Sequence, residues 1–461
     1  MASMKSMGPE VCGDGSSQPF RSLDTLNFKN MVEWENWSPC EAFSNIHGCC
    51  RNLVVSVASF PDRCKIKFEG SEGVVCGREV GFSSLNLKHL PTISEFESQM
   101  KVFDCPKLVS LVAKGQLPPT LKQLRIRNCE NIQNLVDEDD TANSCGSNGD
   151  NTRSHDLQDL SISSCPSLKS LISSGELPTT LQTLEIDSCP ELESIAKELH
   201  HNSLLKSIDI SYCGNLKSLP TGIHSLSHLS GIIIGDCPSH DLLPDGELLP
   251  ANLTRLNLAS CEKMQVVVNR IHTCTSLQAL SMGKCPRALV SFPEEGFPTN
   301  LTSLWIDDSS IAQGLFEWGL HRITSLRYLR ICDGSSHLVS FQEMKLPTSL
   351  IELTINKFTN LEYRSPEGFR NLTSLKVLRI INCEKLVSLP KKGLPPSLRC
   401  LVISNCKKLT SFPRNCLPPS LVELWFAKCP DLVECWKKER GREGSTIARI
   451  PCVALDYEFV A

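Results

Sequence analysis

LKSIDISYCGNLKSLP, from Leu205 to Pro220, is one full statement of the pattern that governs this chain. Its first half alternates: Ile208 and Ile210 are apolar, while Ser207, Asp209 and Ser211 between them are polar. A period of two is the signature of a half-buried strand. Its second half, CxxLxxLP, lays Leu216 and Leu219 after Cys213 and ends on Pro220. Proline cannot donate a backbone hydrogen bond and holds the residue before it in an extended conformation, so the strand is followed by turns.

The same words recur on both sides. LKQLRIRNC starts at Leu121, LQDLSISSC at Leu157, LQTLEIDSC at Leu181 and LSGIIIGDC at Leu229. LTRLNLASC follows from Leu253, LQALSMGKC from Leu277, LTSLWIDDS from Leu301, LRYLRICDG from Leu326 and LIELTINKF from Leu350. LKVLRIINC from Leu375, LRCLVISNC from Leu398 and LVELWFAKC from Leu421 close the series. The third apolar position falls at Ile126, Ile162, Ile186, Ile210, Ile234, Leu258, Met282, Ile306, Ile331, Ile355, Ile380, Ile403 and Phe426. After a first gap of 36 residues every spacing is 23, 24 or 25. A strand that returns in the same direction at a fixed period pairs in parallel with its own copies, and each copy buries the face its neighbour exposes. The sequence therefore predicts a leucine-rich-repeat solenoid of the α/β horseshoe class, mostly β. A parallel sheet lines the concave face, with irregular turns and short helices on the convex one. Weaker copies are read at Leu23 (LDTLNFKNM), around Ile66 and Phe68, and at Leu85, Leu87 and Leu90, for about seventeen coils in all.

Three regions follow from this register: degenerate repeats and a linker over 1–96, regular repeats over 97–433, and a C-terminal cap or tail over 434–461. The 36-residue gap holds an acidic Ser/Asn/Gly-rich insertion from Asp137 to Asp156, read as a flexible loop.

Composition narrows the function. The 461 residues are 41% hydrophobic with a net charge of −4, enough for a core and too little positive charge for nucleic acid to be the main partner. The opening MASMKSMGPEVCGDGSS has no apolar run of signal-peptide length, and no stretch approaches the roughly 20 apolar residues of a membrane span. The expectation is a cytoplasmic protein. Eleven of the 24 cysteines close a repeat, as Cys105, Cys129, Cys165, Cys189, Cys213, Cys237, Cys261, Cys285, Cys383, Cys406 and Cys429. They form a column of side chains pointing one way, which suits packing and not disulfide pairing, and no CxxC pair suggests zinc. There is no GxxxxGK[ST], GxSxG, HExxH or GxGxxG, so no enzyme, cofactor or metal site is expected.

What remains is the exposed face of the strands. Two groups there are candidates for protein binding. One is an acidic cluster, Glu185, Asp187 and Asp209, lying beyond the pair Arg125 and Arg127. The other is a stripe of Trp305, Asp307, Tyr328, Arg330, Arg379 and Trp425, since aromatics and arginine are the residue types that carry most interface energy.

The repeat LxxLxIxxC-xxLxxLP with returns such as GLPPSL (Gly393 to Leu398) resembles the C-terminal leucine-rich repeats of plant coiled-coil nucleotide-binding disease-resistance proteins. PFRSLDTLNFKNMVEWENW (Pro19 to Trp37) and STIARIPCVALD (Ser445 to Asp456) are similar to segments flanking those repeats. The resemblance implies an intracellular immune receptor's sensing region, whose partners are a pathogen effector or a guarded host protein. It also implies restraint of an attached nucleotide-binding domain, which this sequence lacks; ATP or ADP would belong to that domain alone. The competing reading is the substrate-recognition repeats of an F-box-type ubiquitin-ligase adaptor. Those arrays also end strands in cysteine, but they carry convex helices where this chain has proline-rich returns.

Overall fold

The computed structural model describes residues 99–112, 120–136, 156–172, 177–238, 243, 248–260, 270–284, 292, 294–332, 344–362, 369, 371–389, 394–410, 412, 417–440, 449–456 and 458–459. It also describes the backbone of seven earlier strands. These are β1 (Ser6–Met7), β2 (Thr25–Phe28), β3 (Asn36–Trp37), β4 (Asn45–Gly48), β5 (Val54–Val55), β6 (Lys65–Glu69) and β7 (Glu79–Ser83). The chain divides into two compact units, Met1–Pro250 and Ala251–Ala461.

In the N-terminal unit β2, β4, β6 and β7 pair in parallel and lead into β8 (Gln99–Phe103). Two short strands, β9 (Ser110–Val112) and β11 (Asn134–Val136), pair with each other on the return side. The main ladder runs on through β10 (Gln123–Arg127), β12 (Asp159–Ser163), β13 (Thr183–Asp187), β14 (Ser207–Ser211) and β15 (Gly231–Gly235). The C-terminal unit repeats the design. Its strands are β16 (Arg255–Ala259), β17 (Ala279–Gly283), β18 (Ser303–Asp307), β19 (Tyr328–Cys332) and β20 (Glu352–Asn356). They continue as β21 (Val377–Ile381), β22 (Cys400–Ser404), β23 (Glu423–Ala427) and β24 (Cys452–Leu455), all parallel, and β25 (Glu458–Phe459) turns back antiparallel on β24. Each unit is a leucine-rich-repeat stack.

Equivalent repeat positions pair without slippage, Ile162 on Ile186 and Ile186 on Ile210. Burial explains the register. Leu124 and Ile126 are 0% and 1% exposed while Arg125 between them is exposed, so a shift of one residue would invert the whole face.

The strand ends in a device that the LxxLxIxxC formula does not show. The residue before each described column cysteine takes a left-handed conformation: Asp104, Asn128, Ser164, Ser188, Tyr212, Asp236, Asn382, Asn405 and Lys428 all have φ between 51° and 55°. Its N–H reaches forward to the next coil, as in Ser188 to the Asp187-equivalent carbonyl of Ser211 at 2.9 Å. The cysteine then turns inward and its thiol donates to the carbonyl two residues back, as in Cys189 to Asp187 at 3.5 Å. Asn and Asp tolerate this conformation best, which accounts for the NC and DC pairs; Tyr212 and Lys428 are held in it by the stack.

Both proline-marked returns are tight turns. CxxL closes by a bond from the leucine N–H to the cysteine carbonyl, Leu192 to Cys189 at 3.1 Å. PxxL closes the same way, Leu181 to Pro178 and Leu398 to Pro395. The Ser or Thr just before that leucine is part of the frame. Thr180, Ser325, Ser349, Ser397 and Ser420 each donate a hydroxyl to the carbonyl of the equivalent leucine one coil earlier. Carbonyls inside the stack need such partners.

The described cysteines of the column are buried and free of disulfides; Cys261 and Cys285 lie outside the described residues. Contact with Cys105 pulls the Cys129 thiol down, contact with Cys165 and burial push it up, and the outcome is about 12. Burial first of all takes Cys429 to about 11. Such thiols stay protonated at neutral pH and are poor nucleophiles.

Three features lie beyond the repeat formula. The copy placed at Leu85, Leu87 and Leu90 lies outside the described residues, and β7 stands before it, with Val80 in register with Ile66 and Met100. The strands β4 and β24 also belong to the ladders although the repeat formula does not reach them. Last, one return is a full helix, α1 (Ser309–Trp318). It forms where the repeat loses its cysteine: Asp308 accepts from the N–H groups of Ser310 and Ile311, and Gly319 at φ 104° ends the helix. An Asp cap followed by Ile311, Ala312, Leu315 and Phe316 on one buried face is sufficient reason. A second helix, α2 (Pro430–Arg440), buries Leu432 and Trp436. The insertion read from Asp137 lies, except for Asp156, outside the described residues.

Candidate functional site

The strand face of the C-terminal unit is a grid with one row per coil. Its middle column reads Ser281, Trp305, Arg330, Thr354, Arg379, Val402 and Trp425, each in direct register with the next. Trp305 and Tyr328 are 45% and 43% exposed, large fractions for aromatic side chains with no covering element described over them. Small residues on β17 leave a step beside the indole. At its edge is a recess of about 400 Å³, lined by Ser281, Trp305, Ile306, Asp307, Arg330 and Cys332. A volume of that order accepts a side chain or a short peptide stretch.

Arg330 and Arg379 differ in what they hold. Arg379 is ion-paired with Glu352 of the preceding row, and both are half-buried. Arg330 has no carboxylate within ion-pair distance among the described residues; its Nε donates to the Cys332 sulfur at 3.4 Å. Cys332 was not singled out by the repeat. It stands two residues ahead of the column position, and that offset moves a cysteine from the turn to the strand face. There it receives a second bond from Asn356 Nδ2; Asn356 Oδ1 in turn accepts from Asn382 Nδ2, and Asn382 Oδ1 accepts from Asn405 Nδ2. This amide ladder ties four coils to the back of the recess.

The expected stripe therefore separates into one group and two single residues. Trp305, Asp307, Tyr328 and Arg330 lie on adjacent rows. Arg379 is two rows further and neutralised. Trp425 is two rows beyond that and packs edge-on against Phe459, ring centres 5.3 Å apart at 73°. It serves the C-terminal end of the stack.

The N-terminal unit carries the charged group. Its middle column reads Lys101, Arg125, Ser161, Glu185, Asp209 and Ile233. Arg127 and Asp187 stand beside Arg125 and Glu185, one position further along the strands. Lys101 continues the basic side; its strand was placed by Cys105, and reading the exposed face of that strand would have found it. Glu185 is directly opposite Asp209, an arrangement that costs stability. Burial, then Glu185 and Asp187, push the Asp209 carboxyl above its usual range, while Ser211 pulls it partly back. A carboxyl raised in the folded state is a penalty once it ionises. Asp209→Asn should therefore raise the melting temperature at pH 7 by about a degree or two. The gain should fade as the pH drops below the ordinary carboxylate range, where both states are protonated. A thermal scan from pH 7 to pH 3 reads this directly, and a pH-independent difference contradicts it.

With the geometry in place, comparison with known proteins is informative for one segment. Residues 89–214 match the leucine-rich repeats of plant disease resistance proteins of the RPS2-like type. The likeness is of that segment alone. The segment contains β8 through β14, and so the whole charged face. Comparison with curated proteins found no match. Among solved structures, the circular leucine-rich-repeat protein CroV588 is similar at 16% identity and a TM-score of 0.48, over 88% of this chain. The chain spans 60% of that protein's length. YopM of Yersinia enterocolitica shows 17% identity and a TM-score of 0.34 over 87% of this chain and 72% of its own. An internalin of Listeria monocytogenes shows 12% and 0.29 over 76% and 86%. Among the described residues no helix is long and apolar enough to cross a membrane.

Proposed function

We propose that this chain is the protein-sensing repeat region of a plant intracellular immune receptor. The observation that carries the reading is the match of residues 89–214 to plant disease-resistance repeats. Repeat stacks bury their leucines and leave one strand face to vary, and here that face presents Trp305, Asp307 and Arg330 around a recess, with Tyr328 exposed on the strand of Arg330. Its partner is a pathogen effector or the host protein that an effector modifies. In a full-length receptor the same stack restrains a nucleotide-binding domain, to which any ATP or ADP belongs. A cytoplasmic setting agrees with a column of buried cysteines free of disulfides among the described residues.

The test is expression of the chain, fused to such a nucleotide-binding domain, in leaf tissue challenged with a panel of candidate effectors, with immune cell death and co-precipitation as readouts. One effector should trigger the response. Trp305→Ala with Arg330→Ala should then weaken co-precipitation by about 30-fold or more, the scale of interface hot spots. Undiminished binding by the double variant removes the site. A chain indifferent to every effector and every guarded host protein removes the receptor reading.

A further inference from the structure

The charges on the N-terminal strand face change sign about one strand. Counting outward from Ser161 on β12, the middle column has Arg125 and then Lys101 on one side, Glu185 and then Asp209 on the other. The next column repeats it: Arg127, Ser163, Asp187. Basic and acidic residues thus occupy equal row distances from β12, at the same positions along their strands.

That antisymmetry has a geometric consequence. Bring two such faces together with a two-fold axis running along β12. The operation reverses the order of rows and keeps the position along each strand. Arg125 of one copy then faces Glu185 of the other, Arg127 faces Asp187 and Lys101 faces Asp209, each pair occurring twice. The match does not depend on the spacing between rows, because each residue and its opposite are equally far from the axis. An isologous dimer requires a self-complementary patch of this kind.

We propose that this face of the N-terminal unit associates with the same face of a second copy of the chain. Within one copy the pattern is a liability: Arg125 stands beside Lys101 and Glu185 opposite Asp209. Arg125, Arg127 and Glu185 have no ion-pair partner among the described residues, and the Asp209 carboxyl is pushed up by burial first and then by Glu185 and Asp187. Docking puts a charge of opposite sign against each. One contact opposes it. Asp159 lies at the axis and meets its own counterpart, although Gln123 Nε2 donates to it at 2.9 Å.

Five rows about 4.8 Å apart and five residues at about 3.3 Å per residue give roughly 400 Å² per copy. The total, about 800 Å², falls in the class of weak, transient contacts. The dimer should be reversible and salt-sensitive, since exposed ion pairs are screened.

Sedimentation equilibrium of the full chain under reducing conditions tests this, at up to about 200 µM protein, the range where weak dimers populate. A monomer–dimer equilibrium is expected in about 50 mM salt, weakened at least tenfold in about 500 mM. R125E/R127E and E185R/D187R should each be monomeric, because the 125–185 and 127–187 contacts then join like charges and only Lys101 against Asp209 still attracts. Mixed, they should form a 1:1 heterodimer tighter than the wild-type dimer. Asp159→Asn should strengthen the wild-type dimer. Far-UV circular dichroism checks that each variant is folded, and the milder R125Q/R127Q should still weaken the dimer. A chain monomeric throughout overturns the proposal, as does a dimer indifferent to both reversals or a mixture that does not associate. Trp305→Ala with Arg330→Ala should dimerise like the wild type, which separates this result from the sensing role of the other unit.

Discussion

Gly222→Ala is expected to lower the melting temperature of the N-terminal unit by about 5–15 °C, from a loss of roughly 2–4 kcal/mol. Gly222 opens the short turn Ile223–Ser225 at φ 86° and ψ 0°. A Cβ built there lies 2.6 Å from the carbonyl oxygen of Leu199, closer than real Cβ atoms come to anything. The obstacle is backbone, so no rotamer change relieves it. Leu199 is fixed in turn by its own N–H, which donates to Thr221 at 2.8 Å, so the clash and the bond that would have to yield are neighbours. Left-handed strain adds to the steric cost. Gly214→Ala is the control in the same coil. Nothing lies within 4 Å of its added Cβ, and it should be neutral or slightly stabilising through the unfolded chain. Equal thermal shifts for the two variants would falsify the assignment of Gly222 to a conformational role.

Phe358→Ala should cost the C-terminal unit about 3–5 kcal/mol, the usual penalty for deleting a buried aromatic side chain. Phe358 stands in the column that cysteine fills elsewhere, follows the left-handed Lys357 (φ 57°) as those cysteines follow theirs, and is 1% exposed. It even closes the same turn, Leu361 N–H to its carbonyl at 3.4 Å. The informative variant is Phe358→Cys. It restores the repeat's own residue, and a reading from sequence alone would make it harmless or beneficial. The packing says otherwise: a thiol leaves most of the ring's volume empty, and a cavity is charged for by volume. Denaturant unfolding should place Phe358→Cys close to Phe358→Ala. A wild-type-like Phe358→Cys would show that the slot collapses freely and that the column is uniform.

These two results bear on how much of this molecule can be read without its fold. The period of 23 to 25 residues, the inward Leu and Ile, and the inward cysteine all follow from side-chain alternation, because a strand has only two faces and only one can be buried. The exposed residues Trp305, Tyr328, Arg125 and Glu185 were legible for the same reason. Their partners were not. Nothing in the sequence distinguishes Arg330, bonded to a sulfur, from Arg379, paired with Glu352. Nor does it separate Trp305 on an open row from Trp425 against Phe459. Both distinctions depend on which residues the finished ladder brings side by side: Glu352 lies on the row before Arg379, and Phe459 lies on β25, which turns back beyond β24.

The helix α1 marks a second limit. A repeat without its cysteine reads as a degenerate copy. The structure shows that Asp308 caps a helix there, since four buried apolar residues at helical spacing outweigh the turn that the other coils make. The left-handed residue before each cysteine is the converse case. Asn and Asp at that position are visible in the sequence, but their meaning is not, because the conformation is imposed by a bond to the next coil.

The sequence by itself determined the solenoid: the period, the direction of the strands, the buried set and the face left outside, since these need only alternation and repetition. Tertiary structure decided the rest. It joined Trp305, Asp307 and Arg330 around one recess, set Arg379 and Trp425 apart, and arranged Lys101 to Asp209 as a charge pattern antisymmetric about β12. The physical reason is that stacking turns distance along the chain into rows about 4.8 Å apart. Only the finished ladder says which rows are neighbours.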